Sequence, residues 1–405
     1  MPLAEKRLLT LSPFSSNPPQ SGGTKRIHNL NSGYARLGWK VLQISGATVR
    51  QGAIDLLRMH GCQIAPNYRE EVYFNPFILL GNRFLRRLGT AQTAATQLPR
   101  AFRPARQIAA AIAEHEVILF EHPYLFALAR PWLRADHLVV LDAHNIETDI
   151  YAHLLRRSGL AGKAARCVQE IEHDCMSRAD LVFTCSAADR DAAISRFNVE
   201  PEKVSIAPNG VDLGTVLPIS AEERLQAKKK LGLEDKVVAL FLGARWTPNV
   251  EAAHHVLSMA RQNPRITFLI VGGVGASLPT GHNPENVIIT GMVDDLAPWF
   301  AAADIAINPM ENGSGSNIKM FEYCAAGFPI VTTAFGARGI DDHSGKVLTI
   351  SSIPDMPKAI VALAQSSDLD ERRIAARALA HKYDWFSIAR QISDRIIAAV
   401  AIKMR

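Results

Sequence analysis

Residues 310–340 read MENGSGSNIKMFEYCAAGFPIVTTAFGARGI. The apolar stretch Asp304–Asn308 precedes them and predicts a strand, and the Gly/Ser loop then leads into a helix that carries Lys319 and Glu322 near its start. Exposed amides at a helix N-terminus, with a lysine beside them, form a typical phosphate site. A carboxylate one turn later suits a sugar hydroxyl, and Ser316 is expected to cap the helix. The stretch therefore predicts a strand–loop–helix unit of an α/β protein and a site for a nucleotide sugar.

Short apolar runs alternate with longer amphipathic stretches along the whole chain, as in proteins built from βα units. Most runs are rich in Val, Ile and Leu without strict alternation, which is typical of parallel strands covered on both faces. The predicted strands are Arg7–Ser12, Lys40–Ile44, Val117–Glu121, Leu138–Leu141, Leu181–Cys185, Val204–Ala207, Val237–Leu242, Thr267–Val271, Val287–Ile289, Ile305–Asn308 and Ile330–Thr333. The last helices are predicted at Asp368–His381 and Phe386–Lys403.

The length of 405 residues favours two domains. Residues 208–212 read PNGVD, which contains an Asn-Gly turn signal, and a polar segment follows them. We therefore place a linker near 208–216. The expected domains are an N-terminal Rossmann-like domain over 1–210 and a C-terminal one over 211–385. The final helix, 386–405, could pack on the second domain or cross back to the first.

The composition indicates an ordinary soluble globular protein, with 48% hydrophobic and 21% charged residues. The formal net charge of +6 favours anionic ligands or an anionic membrane surface, and no nucleic-acid partner is expected. The five cysteines show no CxxC spacing, which argues against disulfides and a zinc site. The N-terminus does not resemble a signal peptide, and no apolar run approaches the roughly 20 residues of a membrane span. We expect a protein that is cytoplasmic or peripheral to the inner face of a membrane.

Residues 72–106 mix aromatic and aliphatic side chains with arginines, and no acidic residue occurs from Asn75 to Ile112. A basic amphipathic surface of this composition is typical of proteins that meet anionic lipid. The alternative is a solvated helix face that alternates with core positions. The arginines of this segment are Arg83, Arg86, Arg87, Arg100, Arg103 and Arg106.

Two glycine loops and one arginine follow predicted strands, at the ends where parallel sheets bind ligands. The loop Phe14–Gly23 ends in two glycines that permit close approach of a ligand, although it could equally be a plain connection. Arg245 follows the first strand of the second half, where its guanidinium could bind a diphosphate through two hydrogen bonds. The loop 271–275 reads VGGVG, but the sixth position of a dinucleotide fingerprint is Leu278, so this loop favours the lining of a nucleotide cleft over an NAD site.

His122 and His144 each follow a predicted strand of the first half. Either could donate a hydrogen bond to a sugar or contact the acceptor, and the alternative is a structural role. Neither region has H-x-x-x-H spacing or a suitable acidic pair, so no metal site is predicted.

Taken in order, these motifs make the whole chain resemble the retaining glycosyltransferases of family 4, which have the GT-B fold. The segments that carry the resemblance are 21–23, 144–147, 208–212, 243–249, 271–273, 291–295, 313–327 and 333–339. The resemblance implies an α/β protein of two facing Rossmann-like domains with parallel sheets and an interdomain cleft. The first domain would bind the acceptor and the second would bind the donor.

The activity implied by the resemblance is transfer of a sugar, of the hexosyltransferase type, from a nucleotide-diphosphate donor with retention of anomeric configuration. The acceptor would be a glycan or a lipid-linked molecule in the synthesis of a cell-surface polysaccharide, lipopolysaccharide or glycolipid. Neither a metal nor another cofactor would be required, since the nucleotide sugar is a substrate. The alternatives are a GT-B relative with other sugar-nucleotide chemistry, such as epimerisation, and a non-catalytic binding scaffold.

The resemblance also assigns residues. Glu322 would bind the donor ribose, and Gly22 and Gly23 would approach the diphosphate and sugar. The loop Gly272–Gly275 and Val293 would line the base. The residues expected to bind the donor are Gly22, Gly23, Arg245, Gly272, Gly273, Val293, Gly313, Ser314, Gly315, Ser316, Asn317, Lys319 and Glu322. The residues expected to take part in catalysis are Glu121, His122, His144, Arg245 and Lys319.

Ser314 departs from the family pattern. Many members carry two glutamates with seven residues between them, and counting back from Glu322 reaches Ser314 instead of the first glutamate. Because that glutamate normally contacts hydroxyls of the transferred sugar, the sequence leaves the identity of the sugar open.

Overall fold

The computed structural model describes residues 5–403 apart from 20, 47–60, 74, 86–105, 280, 282 and 314. The chain forms two compact units. Unit 1 comprises Met1–Pro208 with Trp385–Arg405, and unit 2 comprises Asn209–Asp384. The last helix therefore belongs with the N-terminal part of the chain. No helix within the described ranges is long and apolar enough to cross a membrane.

Each unit contains one β-sheet. The strands are β1 (Arg7–Ser12), β2 (Lys40–Gly46), β3 (Cys62–Ala65), β4 (Tyr68–Tyr73), β5 (Val117–Glu121), β6 (Leu138–Ala143), β7 (Leu181–Thr184), β8 (Val204–Ile206), β9 (Val237–Leu242), β10 (Ile266–Val271), β11 (Val287–Gly291), β12 (Ile305–Asn308), β13 (Ile330–Thr332) and β14 (Leu348–Ile350). Among the described residues, the helices of eight or more residues are α1 (Gly22–Arg36), α2 (Pro76–Leu85), α3 (Arg106–Ala113), α4 (Gly159–Arg178), α5 (Ala187–Phe197), α6 (Ala221–Leu231), α7 (Thr247–Gln262), α8 (Ile318–Ala326), α9 (Met356–Ala364), α10 (Leu369–Ala380) and α11 (Trp385–Lys403).

The sheet of unit 1 has the order β3-β4-β2-β1-β5-β6-β7-β8. All of its strand pairs are parallel except β3 with β4. Helix α11 packs closely on α1 at Gly33, where an added Cβ would lie 2.5 Å from Cβ of Ala389. Nearby, Nε1 of Trp39 donates to Oγ of Ser393 at 2.8 Å. These contacts join the end of the chain to its first helix.

The sheet of unit 2 has the order β11-β10-β9-β12-β13-β14 and is parallel throughout. This is the doubly wound order of Rossmann folds, and the direction of winding reverses between β9 and β12. Ligands of such sheets bind in the crevice beyond the carboxyl ends of the two strands at that point. Helices α7 and α8, which follow β9 and β12, begin there. The predicted class, α/β with parallel sheets, is confirmed.

Three strands were missed by the sequence analysis: β3, β4 and β14. Strand β4 reads YREEVY, so its charged residues interrupt the apolar run that is typical of a buried strand. Glu70 is nevertheless completely buried. Glu70 accepts hydrogen bonds from Oγ of Ser45 at 2.7 Å and Nε2 of Gln43 at 2.9 Å. A hydropathy pattern cannot reveal such a strand, because the polar partners come from β2 and not from the strand itself.

Candidate functional site

Lys319 lies in the first turn of α8, at the carboxyl end of β12, and it is only 9% exposed. Its Nζ donates to Oδ1 of Asn249 at 2.8 Å and lies 4.3 Å from the ring centroid of Phe241. Nδ2 of Asn249 in turn donates to the carbonyl of Ala244 at 3.0 Å, which directs its oxygen toward the lysine. The ammonium group of Lys319, which follows β12 in the chain, is thus held against the end of β9 and the start of α7.

Burial lowers the pKa of Lys319 to about 7, and the charge of Glu322 opposes this shift only in part. The nearest polar partner, Asn249, is neutral, so it does not restore the pKa as a carboxylate at hydrogen-bond distance would. An anionic ligand would supply the missing negative charge and favour the protonated form. Glu322, one turn along α8, is 7% exposed.

The N-terminus of α8 carries no side-chain cap, since the residue at the capping position, Asn317, makes no such hydrogen bond. The expectation that Ser316 caps this helix is wrong, because Oγ of Ser316 accepts instead from Nδ2 of Asn209 at 3.0 Å. The preceding loop uses left-handed backbone at Gly313 (φ 133°) and Gly315 (φ 62°). Ser314 lies outside the described residues. The amide of Met320 donates to the carbonyl of Asn317 at 3.0 Å, so the amides of Ile318 and Lys319 are the ones that could bind an anion at this helix end.

Arg245 is exposed in the β9–α7 connection, beside the glycine loop that follows β10. Gly272 has φ 102°, and a Cβ there would lie 2.6 Å from the carbonyl oxygen of Gly243. A Cβ on Gly273 would lie 3.5 Å from the backbone nitrogen of Arg245 and 3.1 Å from Sδ of Met292. After Gly272 the chain forms the short 3₁₀ helix Gly273–Ser277, in place of the α-helix of a dinucleotide fingerprint.

The predicted base-lining residue Val293 is half-buried and packs partly on the core of unit 2. Its neighbour Met292, which the sequence analysis did not select, is 75% exposed and contacts the glycine loop. Unit 2 thus brings Arg245, Gly272 and Gly273 together at one strand end and Lys319 with Glu322 at the adjacent one.

In unit 1, the two predicted histidines lie side by side with their ring centroids 4.0 Å apart. Nε2 of His144 lies 2.8 Å from Oε2 of Glu121, and Nδ1 of His122 lies 2.6 Å from Oε1 of Glu147. His122 adopts φ 69°, a conformation that is uncommon for a residue with a side chain. The structure thus brings Glu121, His122 and His144 together at the neighbouring ends of β5 and β6.

A buried ion pair lies beneath this cluster. Nε and Nη2 of Arg26 donate to the two oxygens of Asp142 at 2.8 and 2.6 Å, and both residues are 1% exposed. Burial alone would raise the pKa of Asp142, but the guanidinium of Arg26 holds it below its usual value. Nη1 of Arg26 also donates to the carbonyl of Pro208 at 3.0 Å.

Burial and the nearby charge of Asp142 raise the pKa of Glu121 well above its usual value, while burial lowers the pKa of His144 to about 4. Both shifts favour the uncharged forms, a carboxylic acid at Glu121 and a neutral imidazole at His144. A Cβ added to Gly23 would lie 3.7 Å from Nδ1 of His144, near the start of α1 at Gly22.

Within the described part of the chain, three buried polar atoms of the cluster have no hydrogen-bond partner: Oε1 of Glu121, Nε2 of His122 and Nδ1 of His144. Buried polar atoms are normally paired, so three in one cluster point to a polar ligand. Glu121, Asp142 and His144 also place potential metal-ligating atoms within 4.8 Å of one another. Arg26 already binds both oxygens of Asp142, however, so a metal ion there would compete with a buried cation.

Several residues of these two clusters were not selected from the sequence: Arg26, Asp142, Glu147 and Asn249. Glu147 lies in segment 144–147 and Asn249 in segment 243–249, both of which carry the family resemblance, so both had a local signal. Arg26 and Asp142 are 116 positions apart in sequence, and neither residue by itself indicates the other.

Comparison with known proteins assigns the family. The family model described as Glycosyltransferase Family 4 matches residues 21–215, and that described as Glycosyl transferases group 1 matches residues 236–366. The D-inositol 3-phosphate glycosyltransferase of Stackebrandtia nassauensis is 25% identical over 305 residues, 66% of this chain and 65% of that protein. The putative glycosyltransferase YtcC of Bacillus subtilis is 28% identical over 199 residues, 44% of this chain and 49% of YtcC. The chain thus spans under two thirds of the length of these relatives.

Solved structures show the same fold across nearly the whole chain. Sucrose-phosphate synthase from Thermosynechococcus elongatus superposes with a TM-score of 0.72 at 17% identity, covering 98% of this chain and 100% of its own. HepE of Anabaena, in complex with UDP, gives 0.66 at 16% identity, covering 97% and 100%. The protein has the GT-B fold of these glycosyltransferases. It belongs to the family 4 glycosyltransferases.

Proposed function

We propose that the protein transfers a sugar from a nucleotide-diphosphate donor to an acceptor, with retention of anomeric configuration. The observation that carries this proposal is the arrangement in unit 2, where Arg245, Lys319 and the uncapped start of α8 occupy adjacent strand ends. The diphosphate would bind to these three groups. The ribose would bind Glu322, and the base would lie along Gly272, Gly273 and Met292. HepE complexes with UDP and with UDP-glucose support a donor of this class.

Catalysis would come mainly from stabilising the departing nucleoside diphosphate. As the bond to the anomeric carbon breaks, negative charge grows on the leaving phosphate and the sugar becomes oxocarbenium-like. Lys319, Arg245 and the α8 amides are fixed before the reaction, so they stabilise that charge without reorganisation. The acceptor hydroxyl would attack on the face that the phosphate leaves and pass its proton to that phosphate. We propose that two protein cations take the role that a divalent metal has in other transferases.

The cluster of unit 1 would bind hydroxyl groups of the sugar or acceptor. Nδ1 of His144 and Nε2 of His122 are both unpaired among the described residues. The contact of Glu147 with the other ring nitrogen holds His122 in place. The acceptor would be a glycan or lipid-linked molecule of the cell surface. The structural similarity to WaaG, a glycosyltransferase involved in lipopolysaccharide biosynthesis, supports this context. A phosphorylated polyol is a second candidate class of acceptor, which the D-inositol 3-phosphate glycosyltransferases among the relatives support.

The proposal is tested by screening the protein against UDP-, GDP-, ADP- and dTDP-sugars in a thermal-shift assay and then following release of nucleoside diphosphate with candidate acceptors. We expect release that depends on acceptor, is unchanged by EDTA, and yields a product whose anomeric configuration matches the donor by NMR. Conversion of the donor sugar without release would indicate an epimerase. Donor binding with neither reaction would indicate a binding scaffold.

We also propose that the protein binds anionic membranes through helix α2. Phe77, Leu80 and Phe84 are 49%, 64% and 58% exposed, and their spacing places them on one helix face. Residues 75–113 contain six arginines and no acidic residue, a charge of +6, which equals the formal net charge of the whole chain. The remaining residues therefore balance to zero, so the net positive charge lies in the same stretch of sequence as this exposed apolar face. That combination is typical of interfacial helices.

The membrane proposal predicts flotation with vesicles that contain phosphatidylglycerol but not with phosphatidylcholine alone, and weaker flotation at high salt because charges are then screened. The triple variant Phe77→Ser, Leu80→Ser, Phe84→Ser should stay at the bottom of the gradient. Leu225→Ser, on α6 and 60% exposed, is the matched control and should float like the wild type. Equal flotation of the wild type and the triple variant would disprove a role for α2.

A further inference from the structure

The indole of Trp246 is exposed at the carboxyl end of β9. Trp246 is 43% exposed, directly follows Arg245 and immediately precedes α7. It also packs against the loop before α8, where a Cβ on Gly313 would lie 3.2 Å from Cη2 of the indole. Gly313 has φ 133°, so both the backbone and the adjacent ring favour glycine at this position. The ring and the loop are therefore fitted to each other.

The same loop is attached to α7 by two side-chain contacts. Nδ2 of Asn312 donates to Oε2 of Glu251 at 2.6 Å, and Nε2 of His255 lies 3.3 Å from Oε2 of Glu311. Because α7 begins directly after Trp246, one helix both positions the indole and holds the loop against it. An aromatic surface fixed in this way loses little conformational entropy when a ligand covers it.

The position of the indole relative to the phosphate groups indicates its ligand. Gly273, which is assigned to the base, lies against the backbone of Arg245 and against Met292. The indole of Trp246 instead lies against Gly313, in the loop that precedes α8. In a nucleotide sugar, the group beyond the diphosphate from the base is the transferred sugar. A pyranose ring presents apolar C–H faces and polar edges, which suit the flat apolar face of an indole.

We propose that Trp246 is a specificity-determining platform on which the transferred sugar of the donor stacks. This inference rests on the proposed function and adds the residue that recognises the sugar ring, as distinct from the nucleotide. It predicts that the contribution of Trp246 to affinity depends on whether the sugar is present.

The test is titration calorimetry with UDP against UDP-glucose, and with GDP against GDP-mannose as a second pair. For the pair that the wild type binds, Trp246→Ala should weaken the nucleotide sugar by about 5-fold to 100-fold, the range found when an aromatic stacking partner is removed. Affinity for the nucleoside diphosphate alone should stay within about twofold. Trp246→Phe should retain part of the effect, and Trp132→Ala, which removes another exposed indole, should change neither affinity.

Equal losses for the nucleoside diphosphate and the nucleotide sugar would overturn the proposal, because Trp246 would then contact the nucleotide. Unchanged affinity for both, with a raised KM for acceptor, would also overturn it and assign the indole to the acceptor. Failure of the wild type to bind any of the UDP-, GDP-, ADP- and dTDP-sugars would be seen before any variant is made, and would instead remove the donor site proposed above together with its platform.

Discussion

Replacing Lys319 with methionine should weaken binding of the nucleoside diphosphate by roughly 10-fold to 100-fold, the usual effect of losing a hydrogen bond between charged groups. The loss in kcat should be about 100-fold to 1,000-fold, because the lysine stabilises charge that develops on the leaving phosphate. The fold should persist, since methionine suits the surroundings of Nζ, which include Phe241 and Sδ of Met310. Calorimetry and initial rates measure the two effects.

The matched control for that substitution is Lys230→Met, which removes an exposed lysine of the same unit and should change neither quantity. Glu322→Ala should also abolish binding of the nucleoside diphosphate but should spare binding of inorganic pyrophosphate, because the carboxylate is assigned to the ribose. Lys319→Met should weaken both ligands. Unchanged donor affinity in both variants would show that the donor does not bind at this site.

The pH dependence of donor binding provides a further measure of the same lysine. With a pKa of about 7, Lys319 is largely neutral in the free protein above neutral pH, and a bound diphosphate must draw in a proton. Affinity should therefore fall as pH rises from about 7.5 to 9.5, by up to tenfold per pH unit. Lys319→Met should lose this slope, and Lys230→Met should keep it. A slope that persists in Lys319→Met would assign the proton to another group.

Raising the pH has the opposite effect on the contribution of Lys319 to folding stability. Its pKa is lower in the folded protein than its ordinary value of 10.5, so between about 7 and 10.5 the unfolded chain binds more protons. The contribution of Lys319 to the free energy of unfolding therefore rises with pH across this range, while donor affinity falls. The buried amine costs stability at neutral pH, which is typical of a group retained for binding.

Replacing Arg26 with methionine should destabilise unit 1 by about 3–5 kcal/mol, since it leaves the carboxylate of Asp142 buried without its partner. Hydrogen exchange measured by mass spectrometry reports each unit separately, which avoids fitting a two-domain chain as a single transition. Peptides of β1, β5 and β6 should lose protection, and peptides of β9 and β12 should not. The rate of sugar transfer should also fall, because Asp142 lies next to His144. Oδ2 of Asp142 is 3.6 Å from Nε2 of His144.

The control for this prediction is Arg130→Met, which breaks the exposed pair of Arg130 with Asp174 and should change stability by no more than about 1 kcal/mol. The double variant Arg26→Met, Asp142→Asn should recover much of the lost protection, because the unpaired buried charge is gone. If Arg26→Met alone leaves exchange in unit 1 unchanged, the buried pair does not stabilise the domain.

The sequence predicted the parts of the protein whose signal is local. Strands β1, β5, β9 and β12 were predicted at the bounds observed, because buried parallel strands are continuous apolar runs. The Lys319–Glu322 spacing placed both residues at the start of one helix. In contrast, β4 was missed, since its buried Glu70 is stabilised by side chains of β2. The Ser316 cap was wrong for a similar reason, as Asn209 from a distant part of the chain binds that hydroxyl.

The sequence by itself therefore determined the α/β class, the family, and the glycines and charged residues that border the strand ends. It could do so because backbone conformation and hydrophobic period depend on residues close together in the chain. Only the tertiary structure decided which groups meet: Asn249 with Lys319, Arg26 with Asp142, and Trp246 with Gly313. The pKa values near 7 and 4 at Lys319 and His144 also belong to the fold, since burial and neighbouring charges set them.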